Sequence, residues 1–165
     1  MAIALNQDMR LDDKDRKILS LVQRDAKLAQ SEIARQVGLS TASVNERLRK
    51  LEQAGVIRGY AAHLNAAAVG VTVTAFIEVF IEHPRYEADF IDTVLKLDQV
   101  LECHHVTGEF SLLLKVRVND MGGLQQLLLR ELNALEGVRQ TRTVMVLSTI
   151  KEETFIATTS ERTAS

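Results

Sequence analysis

Between Ser40 and Lys50 the chain sets short hydroxyl side chains and cations at helical spacing, a pattern able to hydrogen-bond and neutralise a polyanion. Ser40-Thr41-Ala42-Ser43 opens the run, and Asn45, Glu46, Arg47, Arg49 and Lys50 follow. At about 100° per residue, Val44, Leu48 and Leu51 form one apolar stripe. The opposite face carries Ala42, Glu46, Arg49 and Gln53, flanked by Ser43 and Lys50. A recognition helix enters the major groove with such a polar N-terminal end. Thr41, Ala42, Ser43 and Glu46 are expected nearest the bases, with Asn45 pointing sideways, and Glu46 can accept from cytosine N4. Arg49, Lys50 and, further on, Arg58 are expected on phosphates, which position a protein without reading sequence. The plain reading of Arg49 and Lys50 is a solvated helix face. Arg47 lies at the core edge, where it serves either a phosphate or an intradomain salt bridge. Ser40 is expected to cap the helix, and its hydroxyl can also face a phosphate.

Other reactive residue types do not converge. Cys103-His104-His105 looks metal-like, but on a strand His104 points away from the other two, and zinc sites need three or four protein ligands. No metal is expected. A single cysteine excludes an internal disulfide. There is no Gly-rich phosphate loop and no nucleophile elbow. No catalytic residue and no cofactor are expected.

The elements that position the polar run are readable from periodicity. Asp12 is placed as the cap of a first helix, with Asp13 and Asp15 loading its positive end and Ile18, Leu19 and Val22 inward. A second, short helix from Ser31 to Val37 stops at Gly38, and Ser40 starts the third, which ends at Gly55. Helix, tight turn and longer helix make a helix-turn-helix. Val56–Leu64 reads as a β-wing. Beyond a linker, the apolar spacing alternates between period two and helical: strand Val71–Ile81, helix Arg85–Leu97, strand Val100–Thr107, turn Gly108-Glu109, strand Phe110–Val118, helix Asp120–Leu135 and a strand from Val138 to about Ile150. Leu124, Leu128, Leu132 and Leu135 are expected inward on the second of these helices. A short strand is expected near residues 154–157. This βαββαβ order predicts a ferredoxin-like sandwich, so the fold class is α+β: a winged helix-turn-helix, then a ferredoxin-like domain. The expected divisions are a flexible arm at 1–10, the DNA-binding domain at 11–64, a linker at 65–70, the sandwich at 71–157 and a polar tail at 158–165. The sheet face away from the helices presents Phe76, Phe80, Leu101, Leu113, Met145 and Leu147. An apolar face of that size is expected to pair with a second copy, with Phe76, Phe80, Leu113 and Met145 at the dimer interface. The other reading has the tail covering it.

With 46% hydrophobic and 25% charged residues, the 165-residue chain has ordinary globular composition. Its net charge of −2 is asymmetric: residues 1–64 hold 11 Lys and Arg against 8 Asp and Glu, and the remainder holds 9 against 14. A basic front suits a polyanion. No apolar run is long enough to span a membrane, and no signal peptide is read at the start, so a cytoplasmic protein is expected.

Leu11-Asp12-x-x-Asp15-x-x-Ile18-Leu19, then Glu32-Ile33-Ala34-x-x-Val37-Gly38-Leu39-Ser40, then Val44-x-x-Arg47-Leu48-x-x-Leu51-Glu52-x-x-Gly55-Val56-Ile57-x-Gly59-Tyr60 resembles the Lrp/AsnC family of feast/famine regulators. The likeness continues through Gly108 and through Thr141-x-Thr143-x-Met145-Val146-Leu147, over about residues 11 to 153. The resemblance implies a sequence-specific transcriptional regulator that binds double-stranded DNA. Its second, RAM domain would sense a small amino-acid-like effector and dimerise, with dimers stacking into tetramers or octamers. It implies an effector site near Thr107, Gly108, Glu109, Phe110 and Ser111. The family commonly has an aspartate where this chain has Ser111, so Glu109 supplies the nearest carboxylate. An effector-independent architectural DNA-binding protein is the alternative. An enzyme on this scaffold lacks any visible catalytic pair.

Overall fold

The computed structural model describes residues 10–158, so most of the expected arm and the tail beyond Thr158 lie outside the described residues. The chain forms two compact units. One holds the residues up to Ala62 together with the segment from Glu152, and the other is His63–Lys151.

In the first unit α1 (Asp13–Arg24), α2 (Gln30–Val37) and α3 (Thr41–Gln53) follow one another closely. The Asp12 carboxylate accepts from the Asp15 N–H at 2.8 Å, and the Asp15 carboxylate accepts from the Asp12 N–H at 3.1 Å. This reciprocal capping box satisfies two N–H groups that the first turn would leave unpaired. Helix α2 ends at Gly38, whose φ of 66° lies in the left-handed region that glycine adopts without strain. The Ser40 side chain then caps α3 by accepting from the Ser43 N–H at 3.1 Å. The core is as the periodicity predicts: Ile18, Val44 and Leu51 are wholly buried, with Ile33, Val37 and Leu48 around them. Each such side chain contributes roughly 1.5–3 kcal/mol.

The expected β-wing does not form. Residues 58–64 take no regular structure and pair with no strand. Tyr60, Ala62 and Leu64 fall at period two, but a lone strand has no ladder to complete. The short strand expected near 154–157 is also absent, because that segment runs along α1. Gln23 Nε2 donates to the Ile156 carbonyl at 3.0 Å, and the Ile156 N–H donates to Gln23 Oε1 at 2.8 Å. Thr158 Oγ1 donates to the Arg16 carbonyl, and Arg16 donates to the Thr158 carbonyl, both at 3.0 Å. A side-chain amide here does what a neighbouring strand would do.

The second unit is a four-stranded sheet under helices: β1 (Val73–Ile81), α4 (Glu87–Val94), β2 (Val100–His105), β3 (Leu112–Val118), α5 (Met121–Gln126) and β4 (Val138–Met145). The order is β2-β3-β1-β4, every pairing antiparallel, which is the ferredoxin-like arrangement. Ala75, Ile77 and Val79 of β1 face Val116, Leu114 and Leu112 of β3, and all six are fully buried beneath Phe90, Leu124 and Leu132. Helix α5 continues into a wider π turn over Leu127–Leu132, closed by the Asn133 N–H donating to the Leu128 carbonyl at 2.8 Å. The α-helical period expected Leu128 inward, but the structure buries Leu127 and leaves Leu128 partly covered. The five-residue step from Leu127 to Leu132 keeps both on the sheet, and an i→i+5 turn supplies that step.

Gly137 has a φ of 84°, and a Cβ there would overlap the Tyr86 ring. Gly137→Ala is therefore expected to destabilise the second unit by about 1–3 kcal/mol. The measurement is the urea midpoint by circular dichroism, and an unshifted midpoint would exclude the packing role given to Gly137.

Candidate functional site

Helix α3 presents the predicted surface. Thr41, Ala42, Ser43, Asn45, Glu46, Arg49 and Lys50 are exposed, while Val44, Leu48 and Leu51 of the opposite stripe are buried. Asp15, Ala42, Ser43, Glu46, Arg47 and Lys50 line an open depression of about 590 Å³. Four of these six side chains are charged, so the hollow suits a polar ligand surface rather than an apolar one. Asn45 lines a different depression, of about 300 Å³, with Leu48, Arg49, Glu52 and Tyr60 among its walls. Arg58 is exposed on the unpaired segment after α3.

The cations of α3 are engaged within the chain. Arg49 Nη2 donates to Glu46 Oε1 at 2.8 Å and to Oε2 at 3.0 Å, Arg49 Nε donates to Oε2 at 3.1 Å, and Lys50 Nζ stands 3.5 Å from Oε1. Hydrogen bonding from Arg49 holds the Glu46 carboxyl below the usual carboxylate range, and the same contact raises the guanidinium. Ser43 Oγ lies 2.9 Å from Ser40 Oγ.

Arg47 is the intradomain ion pair of the two readings. Its Nη1 lies 2.6 Å from Asp15 Oδ1 and 2.7 Å from Asp12 Oδ2, so one guanidinium grips both carboxylates of the α1 capping box. Asp15 is the buried charged residue of the core, at 6% exposure, and needs that cation. The Asp12 carboxyl is held below its usual range first by the Asp15 N–H and then by Arg47. Sequence reasoning missed Tyr60, whose hydroxyl donates to Glu52 Oε1 at 2.9 Å. Burial and then the Glu52 carboxylate push its pKa up to about 12. The eight-residue separation of Glu52 and Tyr60 spans a helix end and offers no periodic signal.

The turn after β2 splits the expected effector residues into two sets. Thr107, Gly108 and Glu109 are exposed, and Gly108 has a φ of 122°. Phe110 is only 6% exposed, with the Arg142 guanidinium 5.1 Å from its ring. Ser111 donates its N–H to the Val79 carbonyl at 3.1 Å, and its carbonyl accepts from Val106 at 3.0 Å. Phe110 and the Ser111 backbone thus build the fold, and Thr107, Gly108 and Glu109 are the groups open to a ligand.

On the sheet face away from the helices, Phe76, Phe80 and Leu113 lie as predicted, each half-buried. Met145 does not join them. It pairs with Ala75 of the buried set, and Val144 pairs with Phe76 instead. Directly paired residues of an antiparallel sheet share a face, so Val144 takes the place given to Met145. Leu147 lies beyond the end of β4, and Leu101 falls within the register shift of β2. The face is not continuously apolar: Glu78, between Phe76 and Phe80 and opposite Leu113, pairs with Arg142 across its middle, and Lys115, opposite Phe76, pairs with Glu102. On β2, Cys103 and His105 share the inner parity and His104 the outer, with His105 Nε2 2.7 Å from Glu87 and His104 Nε2 3.2 Å from Glu102. Among the described residues no three His, Cys, Asp or Glu side chains group for a metal ion.

The winged helix-turn-helix DNA-binding family matches residues 11–58, and the Lrp/AsnC ligand binding domain family matches residues 74–156. The chain is 39% identical over 144 residues to the leucine-responsive regulatory protein of Escherichia coli K12, covering 86% of this chain and 88% of that one. A Neisseria meningitidis transcriptional regulator solved as its L-methionine complex superposes with a TM-score of 0.83 at 36% identity, over 88% of this chain and 95% of that one. Escherichia coli AsnC superposes with a TM-score of 0.83 at 27% identity, over 89% and 99% of the two chains.

Arg47→Ala is expected to weaken the helix-turn-helix unit by about 1–2 kcal/mol at pH 7, because Asp15 keeps its burial and loses its cation. A carboxyl depressed on folding, as Asp12 is, adds stability above its unfolded pKa and loses it as the pH falls through the lower folded value. The gap between wild type and variant in urea midpoint should therefore narrow as the pH is lowered from about 5 to about 2. A gap independent of pH would refute the ion-pair assignment.

Proposed function

The chain belongs to the Lrp/AsnC family of transcriptional regulators, and from that premise we propose how its two units read DNA and a small molecule. It is a DNA-binding regulator and not an enzyme, with a helix-turn-helix in front and a ligand-binding domain behind. Helix α3 enters the major groove with Thr41, Ala42, Ser43 and Glu46 toward the bases, and Asn45 lies at the margin. Arg49, Lys50 and Arg58 meet phosphates, and Ser40 caps the helix. Arg47 sets the angle of α3 through α1 instead of touching DNA. The observation that carries this reading is the exposed polar end of α3 standing back to back with its buried Val44, Leu48 and Leu51 stripe.

The effector is a small amino acid, the class named by the L-methionine complex of the Neisseria relative. Its place is the exposed part of the turn at Thr107, Gly108 and Glu109, with Phe110 and Ser111 as the floor. The dimer closes through Phe76, Phe80, Leu113 and Val144, and dimers stack further into tetramers or octamers. A regulator that works on the chromosome has its place in the cytoplasm. Ser111, short and neutral where the family has a carboxylate, favours a second reading in which the protein organises DNA without an effector.

Gel shifts on the protein's own promoter region, run with each of the twenty amino acids, separate the two readings. One amino acid changing the affinity or band pattern is the expected result. A response to none of them moves the effector-independent reading ahead. Phe76→Asp is expected to split the dimer in sedimentation, since it replaces an apolar contact by a carboxylate that must leave water to enter the interface. An intact dimer would exclude this face as the interface.

A further inference from the structure

Three charged side chains of α3 share one exposed stripe and are bonded to one another. Glu46 receives the Arg49 fork through both carboxylate oxygens, at 2.8 and 3.0 Å to Nη2, and holds the Lys50 ammonium at 3.5 Å. Arg49 Nη1 also donates to Gln53 Oε1 at 3.2 Å. All three charged side chains are about half exposed, so the cluster is a feature of the surface and not of the core. On the reading that this stripe faces DNA, its chemistry is unusual. A carboxylate only accepts hydrogen bonds, and nearly everything DNA presents is an acceptor too. The phosphates are anions, guanine offers O6 and N7, and thymine offers O4. Adenine sets its N6 amino group beside N7. Cytosine N4 has an acceptor, guanine O6, on one side alone, whereas adenine N6 stands between N7 and thymine O4, so cytosine is the base edge on which a carboxylate meets the least repulsion.

We propose that Glu46 is the specificity-determining residue of α3 and a latch that keeps Arg49 and Lys50 off the DNA backbone until a cytosine amino group takes its carboxylate. The two positions of the carboxylate exclude one another. Bonding along the helix to residues three and four places on keeps it flat against α3. Reaching a base edge needs the side chain extended into the groove. On a cytosine the carboxylate turns outward and both cations become available to flanking phosphates. On other steps it stays on its cations, and two phosphate contacts are not made. Base reading and backbone clamping are thereby coupled through one side chain.

The test compares full-length wild type, Glu46→Gln, Arg49→Ala and Lys50→Ala. The probes are the tightest duplex recovered from a random-sequence pool and a scrambled duplex of equal length and composition. Affinity is followed against salt. Each phosphate contact adds about 0.9 to the log-log slope. The wild-type slope on the selected duplex should therefore exceed that on the scrambled one, and in Glu46→Gln the difference should shrink by about 1.8. Glu46→Gln should also tighten binding to the scrambled duplex and lose about 10-fold discrimination at one C·G pair of the selected site. If Glu46→Gln changes neither the slope difference nor the base preference, while Arg49→Ala or Lys50→Ala lowers both slopes, the latch is overturned and α3 remains the DNA-facing helix. If all three variants bind both duplexes as wild type does, α3 does not meet DNA, and the interface reading falls together with the latch. Glu46 is exposed and Gln is its near-isostere, so the variant folds.

Discussion

One guanidinium decides how α3 is presented. Arg47 grips Asp12 and Asp15, the two side chains that close the N-terminus of α1, at 2.7 and 2.6 Å. The same carboxylates satisfy the first turn of α1 and neutralise a cation from α3, so the start of one helix and the middle of another are fixed by a single network. A helix packed by an apolar stripe alone can roll about its own axis at little cost. The Arg47 contact restrains that freedom, because one nitrogen, Nη1, is held between two carboxylates of α1. The polar end of α3 then faces outward in a defined orientation, and contact with base edges demands that. Lys14 adds to the same frame, as its ammonium donates to the Val37 carbonyl at the end of α2.

The second unit rests on a different constraint, the two-sidedness of its sheet. The side beneath the helices is filled by Ala75, Ile77, Val79 and their β3 partners Val116, Leu114 and Leu112, all fully buried. The other side carries the half-buried rings of Phe76 and Phe80 with the Glu78–Arg142 ion pair between them. A sheet with one dry face and one apolar but open face has an unfinished boundary, and symmetry offers the simplest completion. The turn at residues 107–109 joins β2 to β3. Phe110 and Ser111 anchor it to the sheet, while Thr107, Gly108 and Glu109 stay outside, so a ligand there would touch residues whose backbone continues directly into β2 and β3.

Much of this was legible from residue spacing, and the exceptions have physical causes. The three helices, the sheet elements and the split between stripe and polar face follow from periods of 3.6 and 2. Met145 and Val144 exchanged faces because β4 is out of step with β1 at Phe80 and Ile81, and a one-residue shift reverses every side chain beyond it. Leu127 joined Leu128 on the core because a π turn adds a residue to the helical repeat. The wing lacks a ladder because a strand needs a partner that spacing alone cannot supply. Arg47 was readable only as a choice between a phosphate and an ion pair, since the deciding carboxylates lie 32 and 35 residues away. The clip between Gln23 and Ile156, 133 residues apart, leaves no pattern in the sequence.

That clip bears on the order in which the protein is made. The helix-turn-helix leaves the ribosome first, yet the segment from Glu152 that lies along α1 is translated after the whole sensing unit. Between the two events the outer surface of α1 at Arg16, Gln23 and Arg24 waits for its last partner. The first unit thus draws its closing contacts from the far side of the second in sequence, and a chain ending short of Ile156 would carry α1 without them.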